Sequence, residues 1–110
     1  MSEKKEMLTG KALAMNGLVA YQEGTVVSRT LIDKQVGTIT VFAFDEGQGL
    51  SEHTAPYDAF VQILDGEAEI TIAGEPHHVI AGQMIIMPAN KPHALKGIKN
   101  FKMLLVMIRA

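Results

Sequence analysis

Residues 67–73 read EAEITIA. Ala68, Ile70 and Ile72 alternate with Glu67, Glu69 and Thr71, a period of two that predicts a strand with one face buried and one in water. Asp65-Gly66 before it and Ala73-Gly74-Glu75-Pro76 after it are turn signals. Upstream, Ala59, Val61 and Ile63 alternate in the same way. Residues 36–44, VGTITVFAF, carry apolar side chains on both faces, which predicts a strand inside a sandwich or at an interface. Residues 84–87 and 101–108 are continuous apolar runs of strand length, although Leu and Met leave a helix open for the second. Further turn signals stand at Asp33-Lys34, Glu46-Gly47-Gln48-Gly49, Ala81-Gly82, Asn90-Lys91-Pro92 and Lys96-Gly97. Many short strands with regular turns predict an all-β sandwich or barrel. Only residues 11–20 suit a helix, and Asn16-Gly17 interrupts them, so at most one short helical turn is expected near the N-terminus.

The chain has 110 residues, 47% of them hydrophobic and 20% charged, with a net charge of −2. That is one soluble globular domain, with residues 1–8 expected as a solvated tail and residues 9–110 as the barrel. Lys and Arg are scattered rather than gathered in a basic stripe, so no nucleic-acid partner is expected. There is no apolar run of membrane-spanning length and no signal-peptide pattern, so no membrane partner is expected either. The chain contains no cysteine. It therefore has no disulfide framework, no thiolate nucleophile and no zinc-thiolate site, which fits a cytoplasmic protein whose metal, if any, sits on His and carboxylate.

Four histidines are present, at positions 53, 77, 78 and 93. His53 follows the glycine-rich turn at 46–49, and His93 follows Pro88-Ala89-Asn90-Lys91-Pro92, a rigid turn after a buried strand. A barrel can bring two such residues into one site. Three roles stay open for them at this point: structural histidines bonded to backbone carbonyls, polar anchors of a small-molecule pocket, or metal ligands. His77 and His78 lie in a polar hairpin, GEPHHVI, and read as surface residues.

Gly47, His53, Pro56 and Gly66 resemble the first motif of the cupin superfamily, a glycine, five residues, His-x-His, three or four residues, Glu, six residues and a glycine. Gly82, Pro88 and His93 are similar to the second. The chain as a whole resembles small stand-alone cupins of unassigned activity. The resemblance implies a double-stranded β-helix, the cupin jelly-roll barrel, holding a divalent metal (Fe, Mn, Ni, Zn or Cu) on three histidines and a carboxylate or amide. Carried over by position, His53 matches the first ligand and His93 the last. The second falls on Ala55 and the third on Ala59, neither of which can donate an electron pair.

Asp58 is the nearest substitute ligand, but strand alternation points residues 59, 61 and 63 inward and 58, 60 and 62 outward unless a bend at Pro56 reverses it. The expected pocket is therefore apolar, walled by Ala59, Val61 and Ile63, with His53 and His93 as polar anchors and Tyr57 at its edge. A small organic ligand suits it. The alternative is a divalent-metal-dependent isomerase or dioxygenase in which water or substrate completes the shell around His53 and His93, with Asp58 as a further candidate ligand. Metal-free acid–base catalysis by one histidine with Tyr57 is a third expectation. Two-sided apolar strands at 36–44 and 101–108 also predict a homodimer.

Overall fold

A computed structural model describes residues 8–109. The expected tail lies outside the described residues except for Leu8, which opens a turn. One 3-10 turn, Met15–Gly17, is followed by seven strands: β1 Val26–Lys34, β2 Gly37–Phe44, β3 Gly49–His53, β4 Asp58–Ile72, β5 Glu75–Ile80, β6 Met84–Met87 and β7 His93–Ile108. All pairing is antiparallel. The run at 101–108 is strand, because it pairs with β2 on one side and β4 on the other, and ladder partners outweigh the helix propensity of Leu and Met.

Two long strands organise the barrel. β4 and β7 pair from Asp58↔Ile108 to Ile72↔His93. Along its other edge β4 takes β6 at residues 59–62 and then β5 at residues 67–72. Similarly, β7 takes β2 at residues 101–108 and β3 at its beginning. Each long strand thus bridges two short ones, and the ribbon curls into the jelly-roll barrel.

Asp65-Gly66 and Lys96-Gly97, which read as turns, lie inside β4 and β7. The β4–β7 register shifts between Ile63 and Asp65 and again between Gly66 and Ala68. These bulges swap the inward parity, so that Ala59, Val61 and Ile63 are buried before them and Ala68 and Ile70 after them. Both alternations seen in the sequence therefore point into one core. Gly66 makes the crossing feasible: its φ is 78°, and a Cβ there would collide with the Asn100 carbonyl oxygen and the Phe101 backbone. The turn expected at Asp33-Lys34 forms two residues later, at Gln35-Val36, because β1 and β2 pair out to Lys34↔Gly37. Ala73-Gly74 does form a two-residue hairpin turn, with φ of 51° and 82°, the left-handed pair that matches strand twist.

Two apolar clusters result. Inside the barrel, Phe44 and Phe101 stack with centroids 4.4 Å apart and planes 4° from parallel, surrounded by Val61, Ile63, Ile70 and Met103. Outside it, Leu18, Val19 and Tyr21 lie across Val41, Ala43, Leu64 and Leu104. This strap accounts for much of the two-sided apolar character of β2. It is fastened by the Tyr21 hydroxyl donating to Asp65 Oδ2 at 2.6 Å and by Lys102 Nζ donating to the Asn16 carbonyl at 2.6 Å. Burial, then the Asp65 carboxylate, raise the Tyr21 pKa.

Candidate functional site

β3 ends on His53 and β7 begins on His93, and the two residues are register partners. Their side chains therefore stand on the same face, with Leu50↔Leu95 beside them facing the barrel interior. The Nε2 atoms are 3.1 Å apart, and the rings meet edge-on at 73°. His53 is exposed at the rim, whereas His93 is 4% exposed.

The other ring nitrogens fix the tautomers. His53 Nδ1 lies 2.8 Å from the Ser51 carbonyl and His93 Nδ1 lies 3.1 Å from the Lys91 carbonyl. A carbonyl only accepts, so each Nδ1 carries a hydrogen and donates it. In neutral rings both Nε2 atoms would then present lone pairs to each other. A contact of 3.1 Å needs something positive between them, and one shared proton suffices. Burial holds the His93 pKa below its ordinary value; its bond to the Lys91 carbonyl opposes this and the neighbouring His53 adds to it. The buried ring is thus the natural acceptor of the shared proton.

The same spacing resembles that of two cis ligands at about 2.1 Å from one ion, which are roughly 3 Å apart. Backbone carbonyls also commonly accept the Nδ1–H of histidines that ligate a metal through Nε2. The donor set nevertheless falls short. Among the described residues, no group of three or more His, Cys, Asp or Glu could hold a metal ion. Asp58 is exposed, and its Oδ1 accepts the Ala89 N–H at 2.8 Å. Catalytic metal sites ordinarily take three protein ligands, so the two imidazoles are one short of that set.

Ala59, Val61 and Ile63 are all buried in the interior cluster, and Tyr57 is half-buried just before β4. His77 and His78 lie on β5, away from the pair; His78 Nε2 is 2.8 Å from Glu67 Oε1, and Lys99 Nζ is 3.1 Å from Glu67 Oε2. Lys99 first and His78 second hold the Glu67 carboxyl below the usual carboxylate range. This surface trio is not legible in the sequence because its members come from three strands; the β4–β5 register, which places Glu69 opposite His78, and the β4–β7 register, which places Gly66 opposite Phe101 and Ala68 opposite Gly97, bring them near.

An antiparallel jelly-roll barrel with imidazoles at one rim defines a class of small β-barrel proteins. The chain belongs to the cupin family: the family model described as the cupin domain matches residues 40–109. A solved structure of a conserved protein of unknown function from Streptococcus pyogenes is 45% identical, with a TM-score of 0.88 over 91% of this chain and 88% of that one. A cupin superfamily protein from Desulfitobacterium hafniense is 30% identical, with a TM-score of 0.87 over 91% and 92%. A cupin 2 conserved barrel domain protein from Leptotrichia buccalis is 41% identical, with a TM-score of 0.82 over 84% of this chain but only 45% of that longer one. No curated protein matches the chain. Among the described residues, no helix is long and apolar enough to cross a membrane.

Proposed function

We propose that this cupin binds a small organic molecule at the barrel rim, with His53 and His93 as its polar anchors. The supporting observation is the facing Nε2 pair, 3.1 Å apart, with each Nδ1 already committed to a carbonyl. Such a pair has one proton to offer and one lone pair to accept with. It suits a ligand oxygen of a carboxylate, carbonyl or hydroxyl group. Nitrogen-resolved NMR of labelled histidine tests the anchor directly: both rings are expected to carry hydrogen on Nδ1 with one further proton shared between the two Nε2 atoms, and a small carboxylate or sugar acid that binds shifts both Nε2 signals together. Two Nε2–H tautomers, or a panel of such compounds moving neither ring, would refute the anchoring role.

A metal-dependent isomerase or dioxygenase is the second reading, favoured by the ligand-like spacing of the pair alone. Elemental analysis of untagged protein separates the two. Stoichiometric metal, together with a chelator-induced fall in melting temperature that His53→Ala abolishes, favours the metal-dependent reading, because a ligand that binds only the folded state stabilises it.

A further inference from the structure

The turn that delivers His93 into β7 is held from outside itself. Pro88 and Pro92 have no N–H, so residues 88–92 present three backbone donors, on Ala89, Asn90 and Lys91. The Lys91 N–H stays within the turn and donates to the Pro88 carbonyl at 3.4 Å. The other two cross to the segment that follows His53. Asn90 N–H donates to the Ala55 carbonyl at 2.8 Å, and Ala89 N–H donates to Asp58 Oδ1 at 2.8 Å. Of the three acceptors only Asp58 Oδ1 belongs to a side chain. A carboxylate also holds an N–H more strongly than a neutral carbonyl does.

These bonds close a ring around the site. His53 ends β3 and residues 54–57 follow it; His93 opens β7 and residues 88–92 precede it. The two imidazoles meet at Nε2, and the two connections are tied together through Ala55 and Asp58. Asn90 has a left-handed φ of 66°, which in a residue other than glycine persists where the surroundings impose it. The outgoing end of the turn is fixed as well, because the Pro92 carbonyl accepts the Ala73 N–H at 2.8 Å. Between these fixed points stands the Lys91 carbonyl, the group that accepts from His93 Nδ1 at 3.1 Å.

We propose that Asp58 is a positioning residue for the histidine pair. Through Ala89 its carboxylate sets the 88–92 turn so that the Lys91 carbonyl faces His93 Nδ1 and keeps a hydrogen there, which turns Nε2 towards His53 and a ligand. This rests on the anchoring role proposed above and adds to it the residue that holds the buried ring in its working form.

Nitrogen-resolved NMR of histidine-labelled, ligand-free protein reads the effect. In the wild type, His93 Nδ1 is expected at the position of a hydrogen-bearing nitrogen. Asp58→Ala and Asp58→Val should both move it towards bare nitrogen, the ratio of the two forms falling about fivefold for the net worth of one hydrogen bond. Valine favours a strand, so fraying of β4 cannot account for its effect. Asp58→Asn keeps Oδ1 as an acceptor and should restore the wild-type signal. His53 Nδ1, held by Ser51 of its own strand, should stay unmoved throughout. Asp45→Ala is the matched control, because Asp45 Oδ2 accepts the Gly24 N–H at 2.7 Å beyond the opposite end of β3 from His53. It should lower the melting temperature and leave His93 unchanged. If Asp58→Ala and Asp58→Val lower the melting temperature without moving His93 Nδ1, or if Asp45→Ala moves it equally, Asp58 serves stability alone and the proposal is overturned while the anchoring reading stands. A wild-type His93 with a bare Nδ1 would refute the anchoring reading and this inference with it.

Discussion

His53 and His93 mirror each other: each turns Nδ1 to the carbonyl two residues earlier in its own strand or turn, and their Nε2 atoms meet at 3.1 Å. The pair is a product of strand register, since β3 and β7 must align His53 with His93 for either ring to find the other. One proton fits between the rings. A second would place two cations in contact with one of them buried.

That asymmetry sets a pH dependence. The His93 pKa is lowered in the folded protein, so below the ordinary value of 6.5 the unfolded chain binds a proton there more readily than the folded one does. Its contribution is fully present above about pH 6.5 and is lost as pH falls through the depressed folded value. Melting temperatures between pH 7.5 and 5 should therefore fall more steeply for the wild type than for His93→Gln. Parallel curves would remove the buried-acceptor role. Glu67, also lowered from 4.5, acts in a more acidic window and does not interfere.

The stacked Phe44–Phe101 pair closes the interior, and both rings are fully buried. Phe101→Ala removes the ring and leaves a cavity that the surrounding strands cannot fill. A loss of about 3–5 kcal/mol in urea unfolding is expected. Phe101→Leu should recover much of it, and a loss under about 1 kcal/mol for the alanine variant would show that the core collapses around the gap.

Gly66 is where β4 passes closest to β7. Gly66→Ala meets two penalties, a left-handed φ of 78° and a Cβ driven into the Asn100 carbonyl and the Phe101 backbone. Left-handed strain costs on the order of 1–3 kcal/mol by itself, and the backbone collision adds to it. Gly10→Ala, with a φ of 75° but open space around its Cβ, provides the control. Denaturant midpoints should fall markedly further for position 66; equal effects would deny the close crossing.

The sequence makes the strands legible because alternation is local. Residues 59–63 and 67–72 each declare an inward face. That these are halves of one strand is not legible, because Asp65-Gly66 is good turn chemistry and only pairing with β7, far along the chain, turns it into a bulge. The strap is hidden for a related reason: Leu18, Val19 and Tyr21 show no period and acquire meaning only against Val41 and Leu104. Motif spacing singles out His53 and His93. Their tautomers are not legible, since these follow from which carbonyls the folded turns happen to offer.

The resemblance to cupin motifs assigns the second and third ligands to Ala55 and Ala59, and His53 and His93 already hold a ligand-like spacing with their Nδ1 atoms anchored. Restoring the donors should therefore restore a metal centre without moving the backbone. Ala55→His with Ala59→Glu is expected to develop the visible absorption of tetrahedral or five-coordinate Co²⁺, at one ion per chain, where the wild type develops none. Ala59 is buried, so a carboxylate there costs stability until an ion neutralises it. The double variant should melt below the wild type without metal and recover with it; at a hundredfold excess over Kd the gain is about 2.7 kcal/mol. If Co²⁺ leaves both the spectrum and the melting temperature of the double variant unchanged, then the two histidines do not point at the position an ion would take, and their 3.1 Å contact is solely a proton-sharing one.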